Sequence, residues 1–363
     1  MKALALYIHI PFCRRKCGYC DFYSVCSEKQ IPAYCEAVCQ SLEYQSGTWA
    51  AKHEIRSIYF GGGTPNLLSA KQLSDILGTI RSRFILAKDI ESTIEINPEF
   101  SHSRAALQEL RDLGFNRLSI GIQSLKNSDL RLLGRLHSSR TAISCLKQAR
   151  KYFDNISTDL IYAIPGQSLA SLKSNVNRLL RFTPEHISAY NLSCEEGTPL
   201  AGSVAAGRVR LADEETEREQ FLFLHEYLQH KGYEHYEISN YARPGFHSRH
   251  NSAYWQNQHY LGIGPSAHSM LYNTRYHYSA DLKAYLEKPG PFHQSEPALE
   301  SEKIITALRT SIGLDLKQLK AETSFNVLEY AKNHPDWLLQ KDSRIYCTLE
   351  GWLMLDSILP DLI

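Results

Sequence analysis

The first half of the chain alternates between short apolar runs and longer segments in which apolar residues recur at helical spacing. The apolar runs are rich in Ile and Tyr, as expected of strands buried in a parallel sheet. They lie at 4–10, 55–61, 92–98, 117–124, 156–165 and 186–193. Helices are predicted between them, near 29–46, 69–83, 101–113, 138–153 and 168–182. Six such alternations predict a parallel sheet with helices packed outside it.

Single residues mark several of the predicted helix ends. Pro32 suits the first turn of the first helix, where its missing N–H costs nothing. Ser69 is a candidate N-cap for the second helix, and Gly114 directly follows the third. These residues support the helix boundaries that the apolar pattern indicates.

Glycine-rich or polar motifs follow nearly every predicted strand: "PFC", "GGGTP", "EINP", "QS" and "DLIYAIPG". Barrel enzymes build their sites at the C-terminal ends of all strands, whereas an open doubly wound sheet concentrates its site at one switch point. We therefore predict an α/β fold, and within that class a partial (β/α)6 barrel of the TIM type rather than an open sheet.

The pattern changes after about residue 195. "LADEETEREQFLFLHEYLQHKG" predicts one long helix, with Asp213 as its cap and Gly232 at its end. A stretch dense in Tyr, His and Gly follows, and the chain finishes with helical segments and a strand followed by a helix. This order predicts a barrel at 1–195, an added α+β linking region at 196–290, and a small winged-helix-like domain at 291–363.

Composition narrows the class of protein. The 363 residues are 43% hydrophobic and 22% charged, which is ordinary for a soluble globular chain of two or three domains. The formal net charge of +1 gives no electrostatic reason to expect nucleic acid as a partner. No apolar run has the length of a membrane helix, and the first residues do not resemble a signal peptide, so we expect a cytoplasmic protein.

Cysteine usage points to a metal centre. Six of the nine cysteines lie between Cys13 and Cys39, and in a reducing compartment such clustering favours metal ligation over disulfides. Cys13, Cys17 and Cys20 bring three thiolates onto the loop after the first strand. A [4Fe–4S] cluster normally has four such ligands, so three predict a cluster that binds another molecule at its fourth iron. A four-cysteine structural cluster completed by Cys26 is the alternative.

The C-x3-C-x2-C spacing resembles that of the radical S-adenosylmethionine enzymes. The resemblance implies that the open iron chelates the amino and carboxylate groups of the cofactor's methionine. An electron from the reduced cluster then cleaves the sulfonium and yields a 5′-deoxyadenosyl radical. In these enzymes a loop such as "GGGTP" at 61–65 binds the amino group, although a tight turn without a ligand is the alternative reading.

Motifs along nearly the whole chain resemble the oxygen-independent coproporphyrinogen III oxidase family: "YIHIPFC", "GGGTPNLL", "INP", "RLSIGIQS", "LGRLH" and "DLIYAIPGQS". Polar side chains at strand ends suit the cofactor, because carboxylates accept from ribose hydroxyls and Arg binds a carboxylate. By this resemblance the S-adenosylmethionine contacts are Tyr7, Tyr19, Gly62, Gly63, Thr64, Glu95, Gln123, Arg135 and Asp159.

Two features separate branches of that family. The oxidases resemble one another in a further Cys two residues after the third ligand, where this chain has Phe22, and in a longer segment before the first strand. "RHNSAYW" at 249–255 resembles the H-N-x-x-Y-W motif of the haem chaperone branch. This resemblance implies a protein that binds haem and transfers it to acceptor haem proteins such as respiratory enzymes. It also implies an electron donor for the cluster, and it allows a homodimer and transient membrane contact through the acceptors.

Haem is a flat apolar ring with an iron that needs axial ligands and two carboxylates that need donors. His250 is the candidate iron ligand, with Tyr254 and Trp255 on the ring and Arg249 or Arg243 at a propionate. The alternative is that the motif forms a hydrogen-bonded structural cluster. Competing ligands are His247, His259 and His268.

Two further functions remain as alternatives. One is the oxidative decarboxylation of coproporphyrinogen III, against which Phe22 argues. The other is radical chemistry on a different substrate such as RNA, against which the near-zero net charge argues. Whether S-adenosylmethionine is turned over is left open.

Overall fold

A computed structural model describes residues 1–100 and 104–363. The β-strands are β1 Lys2–Ile10, β2 His53–Gly62, β3 Ile85–Ile96, β4 Arg117–Gln123, β5 Ile156–Tyr162, β6 His186–Asn191, β7 Glu234–Glu237, β8 Asn240–Ala242, β9 Tyr260–Ile263, β10 His268–Leu271, β11 Thr274–His277, β12 Gln294–Pro297, β13 Leu314–Asp315, β14 Leu338–Lys341 and β15 Arg344–Cys347. The α-helices are α1 Ile31–Trp49, α2 Ala70–Arg83, α3 Arg104–Asp112, α4 Asn127–Leu132, α5 Ser139–Ala149, α6 Leu169–Leu180, α7 Pro199–Ala205, α8 Glu214–His230, α9 Arg249–Trp255, α10 Leu282–Glu287, α11 Glu300–Leu308, α12 Ala321–Asn333, α13 Leu349–Leu353 and α14 Leu355–Leu362. Short 3-10 turns lie at Glu28–Gln30, Ala50–Lys52, Pro65–Leu67, Pro98–Phe100 and Leu316–Gln318.

Strands β1 to β6 are neighbours in chain order, and each pairs with the next in parallel. Helices lie between successive strands, as the alternating pattern predicts. The predicted partial (β/α)6 barrel is therefore confirmed. The predicted helix at 101–113 is observed as α3, and its positions 101–103 lie outside the described residues. The strand predicted at 92–98 begins earlier, at Ile85.

Predicted helix ends are confirmed by their hydrogen bonds. The Ser69 hydroxyl accepts from the Gln72 backbone N–H at 3.3 Å, and the Gln72 side chain accepts from the Ser69 backbone N–H at 2.9 Å. This reciprocal pair is a capping box for α2. Asp213 caps α8 by accepting from the Thr216 N–H at 2.9 Å. Gly114 has a φ of +98°, which suits glycine.

The second half of the chain extends the barrel sheet at both edges. Strand β9 pairs in parallel with β1, and β8 pairs antiparallel with β6. Over the described residues, this sheet has twelve strands in the order β12-β11-β10-β9-β1-β2-β3-β4-β5-β6-β8-β7. The strands of the region predicted as a linker thus lie on both sides of the barrel. The division into 1–195, 196–290 and 291–363 stays a prediction.

A second hydrophobic core forms near the C-terminus. The antiparallel strands β13, β15 and β14 pack with helices α11, α12 and α14 around buried residues from Ile304 to Leu362. This small sheet with helices is the arrangement predicted as winged-helix-like. Within the described part of the chain, no helix has both the length and the apolar character needed to cross a bilayer.

The interior of the barrel is polar. Because successive side chains of a strand point to opposite faces, every second residue of β2 and β3 points inward. Large apolar residues between them, such as Phe60 and Ile94, are fully buried in the main core with the outer helices. The inward polar residues of β2, β3 and β4 include Ser57, Tyr59, Glu91, Thr93, Glu95, Arg117 and Ser119. This alternation places polar chemistry inside the barrel.

Candidate functional site

A cavity of about 390 Å³ opens at the C-terminal ends of the barrel strands. Eleven of the twelve predicted cluster ligands and S-adenosylmethionine contacts line it: Cys13, Cys17, Cys20, Tyr19, Gly62, Gly63, Thr64, Glu95, Gln123, Arg135 and Asp159. Tyr7 and His250 do not. The loops and strand ends that the sequence pattern singled out therefore converge on one place.

The cysteine loop follows β1 and is tied down by backbone hydrogen bonds. The Cys13 N–H donates to the Val25 carbonyl at 3.1 Å, and the Gly18 N–H donates to the Leu133 carbonyl at 3.1 Å. The thiols of Cys13, Cys17 and Cys20 are half-buried and face the cavity. This loop therefore holds three candidate thiolate ligands in a fixed position.

The donor set suits an iron–sulfur cluster better than a single ion. Among the described residues, no three His, Cys, Asp or Glu side chains lie close enough to hold one metal ion. In a four-iron cluster each thiolate binds a different iron, so its ligands stand farther apart. Burial raises the pKa of the Cys20 thiol to about 11, so iron has to displace its proton. Cys26 is exposed and is not among the residues that line the cavity.

Two glycines let the loop after β2 approach the cysteine loop. The Gly63 N–H donates to the Ile10 carbonyl at 2.8 Å, and a Cβ at this position would lie 2.6 Å from the Phe12 carbonyl oxygen. Gly62 has a φ of +104°, and a Cβ there would lie 2.5 Å from the His9 ring. Only glycine fits such close packing, so the "GGGTP" motif is needed for the geometry of this wall.

Glu95 and Asp159 are two of the carboxylates that line the cavity. Glu95 accepts from the Tyr59 hydroxyl at 2.8 Å and from the Gly62 N–H at 3.1 Å. Burial raises the pKa of Glu95 to about 7, against these hydrogen bonds, which lower it. Asp159 accepts from the Ser119 hydroxyl at 3.1 Å, and burial raises its pKa to about 6. Both carboxylates are therefore held in place, with free acceptor capacity toward a ligand.

Gln123 and Arg135 carry buried polar atoms that fit a bound ligand. Gln123 ends β4 with a φ of +60°, and its Oε1 has no hydrogen-bond partner among the described residues. The Nε of Arg135 is likewise buried without such a partner. Unsatisfied buried polar groups are costly and strained residues cluster at functional sites. A ligand with its own donors and a carboxylate, such as S-adenosylmethionine, fits these atoms.

Asn97 joins two walls of the cavity and was missed by the sequence analysis. Its Oδ1 accepts from Arg135 Nη2 at 2.6 Å, and its Nδ2 donates to Thr64 Oγ1 at 3.0 Å. Asn97 is two positions after Glu95, so the same period of two that places Glu95 in the barrel could have found it.

Both partners of Asn97 reach the cysteine loop. Thr64 Oγ1 lies 3.5 Å from Cys13 Sγ, and Arg135 Nη1 lies 3.5 Å from Cys17 Sγ. Cys20 has a separate donor, the backbone N–H of Phe22. Each predicted cluster ligand thus has at least one hydrogen-bond donor at its sulfur.

The rim of the cavity exposes large apolar side chains. Phe22 is 64% exposed, Leu136 47% and Tyr190 42%, and all three line the cavity. The exposed basic residues Arg14 and Lys16 line it as well. An apolar surface beside positive charge suits a flat apolar molecule that carries carboxylates.

Tyr7 lies deeper in the barrel than the cavity. Its hydroxyl is 3.0 Å from His9 Nδ1, and its ring centroid is 6.1 Å from those of Tyr59 and His250. The predicted contact between Tyr7 and S-adenosylmethionine is therefore not among the cavity contacts, and it stays a prediction.

His250 is buried at the opposite end of the barrel interior. Its Nδ1 pairs with the Ser57 hydroxyl at 3.0 Å and its Nε2 pairs with the Tyr254 hydroxyl at 3.0 Å. Its ring stacks on Tyr59 at a centroid distance of 4.9 Å. Burial lowers the pKa of His250 to about 3, so the ring is neutral. The geometry is that of the structural alternative. Haem ligation by His250 stays a prediction, and it would require one of the two hydroxyls to leave.

Helix α9, which carries the "RHNSAYW" motif, occupies the N-terminal end of the barrel. The buried carboxylate of Glu91 accepts from the backbone N–H groups of Arg249 and His250, both at 3.1 Å. The Arg249 side chain pairs with Asp89 at 2.9 Å. These bonds anchor the first turn of α9 to β3.

The other candidate haem contacts are dispersed. Arg243 lies over the Tyr233 ring at 5.0 Å. His247 pairs with Glu234 at 2.7 Å, His259 pairs with His53 at 2.9 Å, and His268 stacks on His277 at 5.1 Å. The structure does not bring these side chains together at one site.

Comparison with known proteins identifies the family. The model of the radical SAM superfamily matches residues 7–179. The heme chaperone HemW of Lactococcus lactis subsp. lactis is 37% identical over 98% of this chain and 96% of its own length. The HemW of Bacillus subtilis is 33% identical over 86% of this chain and 85% of its length. The mitochondrial radical S-adenosyl methionine domain-containing protein 1 of Bos taurus is 33% identical over 99% of this chain and 87% of its own length.

A solved structure shows the same fold. Coproporphyrinogen III oxidase HemN of Escherichia coli, described as a radical SAM enzyme, superposes with a TM-score of 0.84 at 23% identity. The match covers 99% of this chain and 90% of that one. At this identity the likeness bears on the fold alone, and the full-length curated relatives decide the family. The chain belongs to the radical SAM superfamily, whose cofactors are a [4Fe–4S] cluster and S-adenosylmethionine, and within it to the family of the heme chaperone HemW.

Proposed function

We propose that this protein binds haem and transfers it to acceptor haem proteins. The observation that carries the proposal is the match to HemW proteins over almost the whole of both chains. The superfamily model ends at residue 179, within the barrel. A match to that model alone would support the cofactors and not the transfer of haem. The alternative is oxidative decarboxylation of coproporphyrinogen III, the reaction in the name of the HemN structure.

Phe22 supports the chaperone over the oxidase. The oxidases resemble one another in having a cysteine at this place. Here a phenyl ring stands at the cavity rim, 64% exposed. A ring cannot serve as the extra thiol, whereas it can pack against an apolar ligand.

For the cofactors we propose the following roles. Cys13, Cys17 and Cys20 bind three irons of the cluster, which when reduced supplies one electron to S-adenosylmethionine. Glu95 and Asp159 accept hydrogen bonds from the ribose hydroxyls. These roles are supported by the positions of the residues in the cavity lining and by the free acceptor capacity of the two carboxylates.

Gln123 and Arg135 complete the proposed S-adenosylmethionine site. The unpartnered Gln123 Oε1 accepts from a donor of the cofactor, and Arg135 Nε donates to the carboxylate. Tyr19 and the backbone at Gly62 and Gly63 form the walls of the site. The role of Tyr7 stays a prediction, because this residue lies outside the cavity lining.

For haem we propose contact with the rim. Phe22 and Leu136 pack on the porphyrin face, and Arg14 or Lys16 lies near a propionate. Arg14 already pairs with Glu28 at 3.1 Å, but at an exposed position such a pair is weak enough to exchange.

Haem titration of the purified protein tests the function. We expect stoichiometric binding by the wild type and weaker binding by Phe22→Ser. Phe325→Ser is the matched control, since Phe325 is also 64% exposed but lies on α12 in the second core region. Equal binding by both variants would reject the rim, and no binding by the wild type would reject the chaperone function.

The same titration includes His250→Ala to decide its role. If His250 is an iron ligand, the variant changes the haem absorption spectrum. If it is structural, the variant lowers the stability and leaves the spectrum unchanged.

Product analysis on coproporphyrinogen III, with dithionite and S-adenosylmethionine under anaerobic conditions, distinguishes the chaperone from the oxidase. Formation of protoporphyrinogen IX would establish the oxidase instead.

A further inference from the structure

A hydrogen-bonded bridge spans the cavity from one predicted cluster ligand to another. It runs from Cys13 through Thr64, Asn97 and Arg135 to Cys17, with heavy-atom distances of 3.5, 3.0, 2.6 and 3.5 Å. The Thr64 side of the bridge is almost fully buried, at 2% exposure. The bridge therefore connects the loops after β1, β2 and β3 with the segment after α4.

The chemistry of each side chain sets the direction of these bonds. Arg135 can only donate, so the Asn97 atom that faces it at 2.6 Å is the carbonyl oxygen. The amide nitrogen of Asn97 then faces Thr64 and donates to its oxygen. Because that oxygen is occupied as an acceptor, the one hydroxyl hydrogen of Thr64 is free to point at Cys13 Sγ. An aspartate at position 97 would accept from Thr64 and draw this hydrogen away from the sulfur.

Arg135 is held on a second side as well. Its Nη2 also donates to the Gly121 carbonyl at 3.0 Å. The guanidinium plane is therefore fixed by two acceptors, while Nη1 reaches Cys17 Sγ. Asn97 itself is positioned through its backbone, since its N–H donates to Asn66 Oδ1 at 3.2 Å. The bridge is thus supported on both sides of the cavity.

We propose that Asn97 is a positioning residue that aims Thr64 and Arg135 at the Cys13 and Cys17 sulfurs and thereby raises the reduction potential of the cluster. Donors at the sulfurs offset the negative charge that an added electron brings, and such hydrogen bonds are one of the factors that set cluster potentials. This inference rests on the ligand assignment proposed above and adds the residues that tune the bound cluster.

The test is a redox titration of the reconstituted protein followed by electron paramagnetic resonance. Thr64→Val removes the hydroxyl at nearly constant shape, and Thr64→Ser keeps it as the matched control. We expect a lower midpoint potential for Thr64→Val and a potential near the wild-type value for Thr64→Ser. Equal potentials in the wild type and Thr64→Val overturn the proposed Cys13 contact. Loss of the cluster in Thr64→Val but not in Thr64→Ser supports it, and loss in both overturns it.

A double-mutant cycle tests the role of Asn97. We expect Asn97→Ala to lower the potential, and Thr64→Val to shift it less in the Asn97→Ala background than in the wild type. Equal shifts in both backgrounds would show that Thr64 is oriented without Asn97. Iron and sulfide contents are measured alongside: a wild type that takes up no cluster contradicts the ligand assignment, whereas unshifted potentials contradict only the bridge.

Discussion

At the scale of single residues, the cavity combines charged and polar groups whose positions are set by neighbours that do not themselves line it. Tyr59 lies behind Glu95 and holds its carboxylate, and Ser119 does the same for Asp159. Both carboxylates have pKa values raised by burial. Their protonation states therefore change near neutral pH.

The raised pKa of Glu95 predicts a pH-dependent cofactor affinity. The ionised carboxylate is the stronger acceptor for ribose hydroxyls, so binding of S-adenosylmethionine should tighten as pH rises through about 7. Calorimetric titration at several pH values measures this. Glu95→Gln should bind several-fold more weakly, with a flatter pH profile. An unchanged profile in that variant would show that Glu95 is not the group responsible.

Tyr59→Phe is the companion variant. The Tyr59 hydroxyl lowers the pKa of Glu95 by donating to its carboxylate. Without that bond the pKa of Glu95 rises further, so the midpoint of the affinity profile should move to higher pH. A midpoint that stays in place would assign the pH dependence to another group, such as Asp159.

The cysteine assignment predicts a selective loss of iron. Cys13→Ala, Cys17→Ala and Cys20→Ala should each reduce the iron content of the reconstituted protein by more than about tenfold, since even outer groups of a metal site can cost that much. Cys26→Ala should retain the cluster, because this thiol is exposed and outside the cavity. Loss of the cluster in Cys26→Ala would instead support the four-cysteine alternative.

At the scale of elements, α9 is anchored by a buried charge. Glu91 is 7% exposed and accepts the first two backbone N–H groups of the helix. Helix N-termini favour negative charge, and both bonds lie away from water. The motif on α9 therefore contributes to the structure of the N-terminal end of the barrel.

Glu91→Ala should destabilise the protein markedly. Two hydrogen bonds to a charged acceptor are lost and two buried N–H groups are left unsatisfied, which costs about 2–4 kcal/mol in the free energy of unfolding. Urea denaturation measures this. Glu54→Ala on β2 is a suitable control, because its carboxylate makes an ion pair with the exposed Arg56 side chain. A loss no larger than that of the control would mean that α9 is held by packing alone.

Elements could be predicted from the sequence where local chemistry determines them. The Ser69 cap and the six strands follow from hydrogen-bonding capacity and apolar pattern, and the structure confirms them. The pairing of β8 with β6 and of β9 with β1 could not be predicted. These short strands carry little pattern of their own, and their partners are distant in the chain.

The candidate site divides in the same way. Residues in recognisable motifs at strand ends, such as Glu95 and Arg135, lie in the cavity lining, and their contacts with the cofactor stay predictions. Asn97 and Tyr59 were missed because their roles depend on side chains across the barrel. The burial of His250 between Ser57 and Tyr254 was not predicted either, since no local pattern shows where α9 packs.

At the scale of the whole molecule, the last strands of the sheet connect to the second core. The Ile238 N–H donates to the Arg309 carbonyl at 2.9 Å, and the Ser311 N–H donates to the Tyr236 carbonyl at 3.0 Å. Trp352 donates to the Leu308 carbonyl at 2.9 Å and packs in the main core. The two cores are therefore joined by backbone bonds and by a shared aromatic residue.

Glu237 lies at this junction, and its buried carboxylate predicts that the stability of the protein depends on pH. Burial raises its pKa to about 7, above the ordinary value of 4.5. The stability it contributes is therefore complete below the unfolded pKa and is lost as pH rises through about 7. Relative to Glu237→Gln, the wild type should lose about 2.5 kcal/mol between pH 5 and pH 8. Thermal or urea unfolding of both proteins measures this, and parallel pH profiles would contradict it.

The position of α9 also bears on the order in which ligands exchange. Because this helix fills the N-terminal end of the barrel interior, the cavity communicates with solvent at its rim. A small molecule on the cavity floor and a broad flat one on the rim then share one entrance. In the proposed arrangement the floor ligand has to enter first, and a ligand at the rim would then cover it. The rim ligand would slow the escape of the floor ligand while itself remaining free to leave. Such a stacked arrangement gives last-in, first-out kinetics without any moving lid.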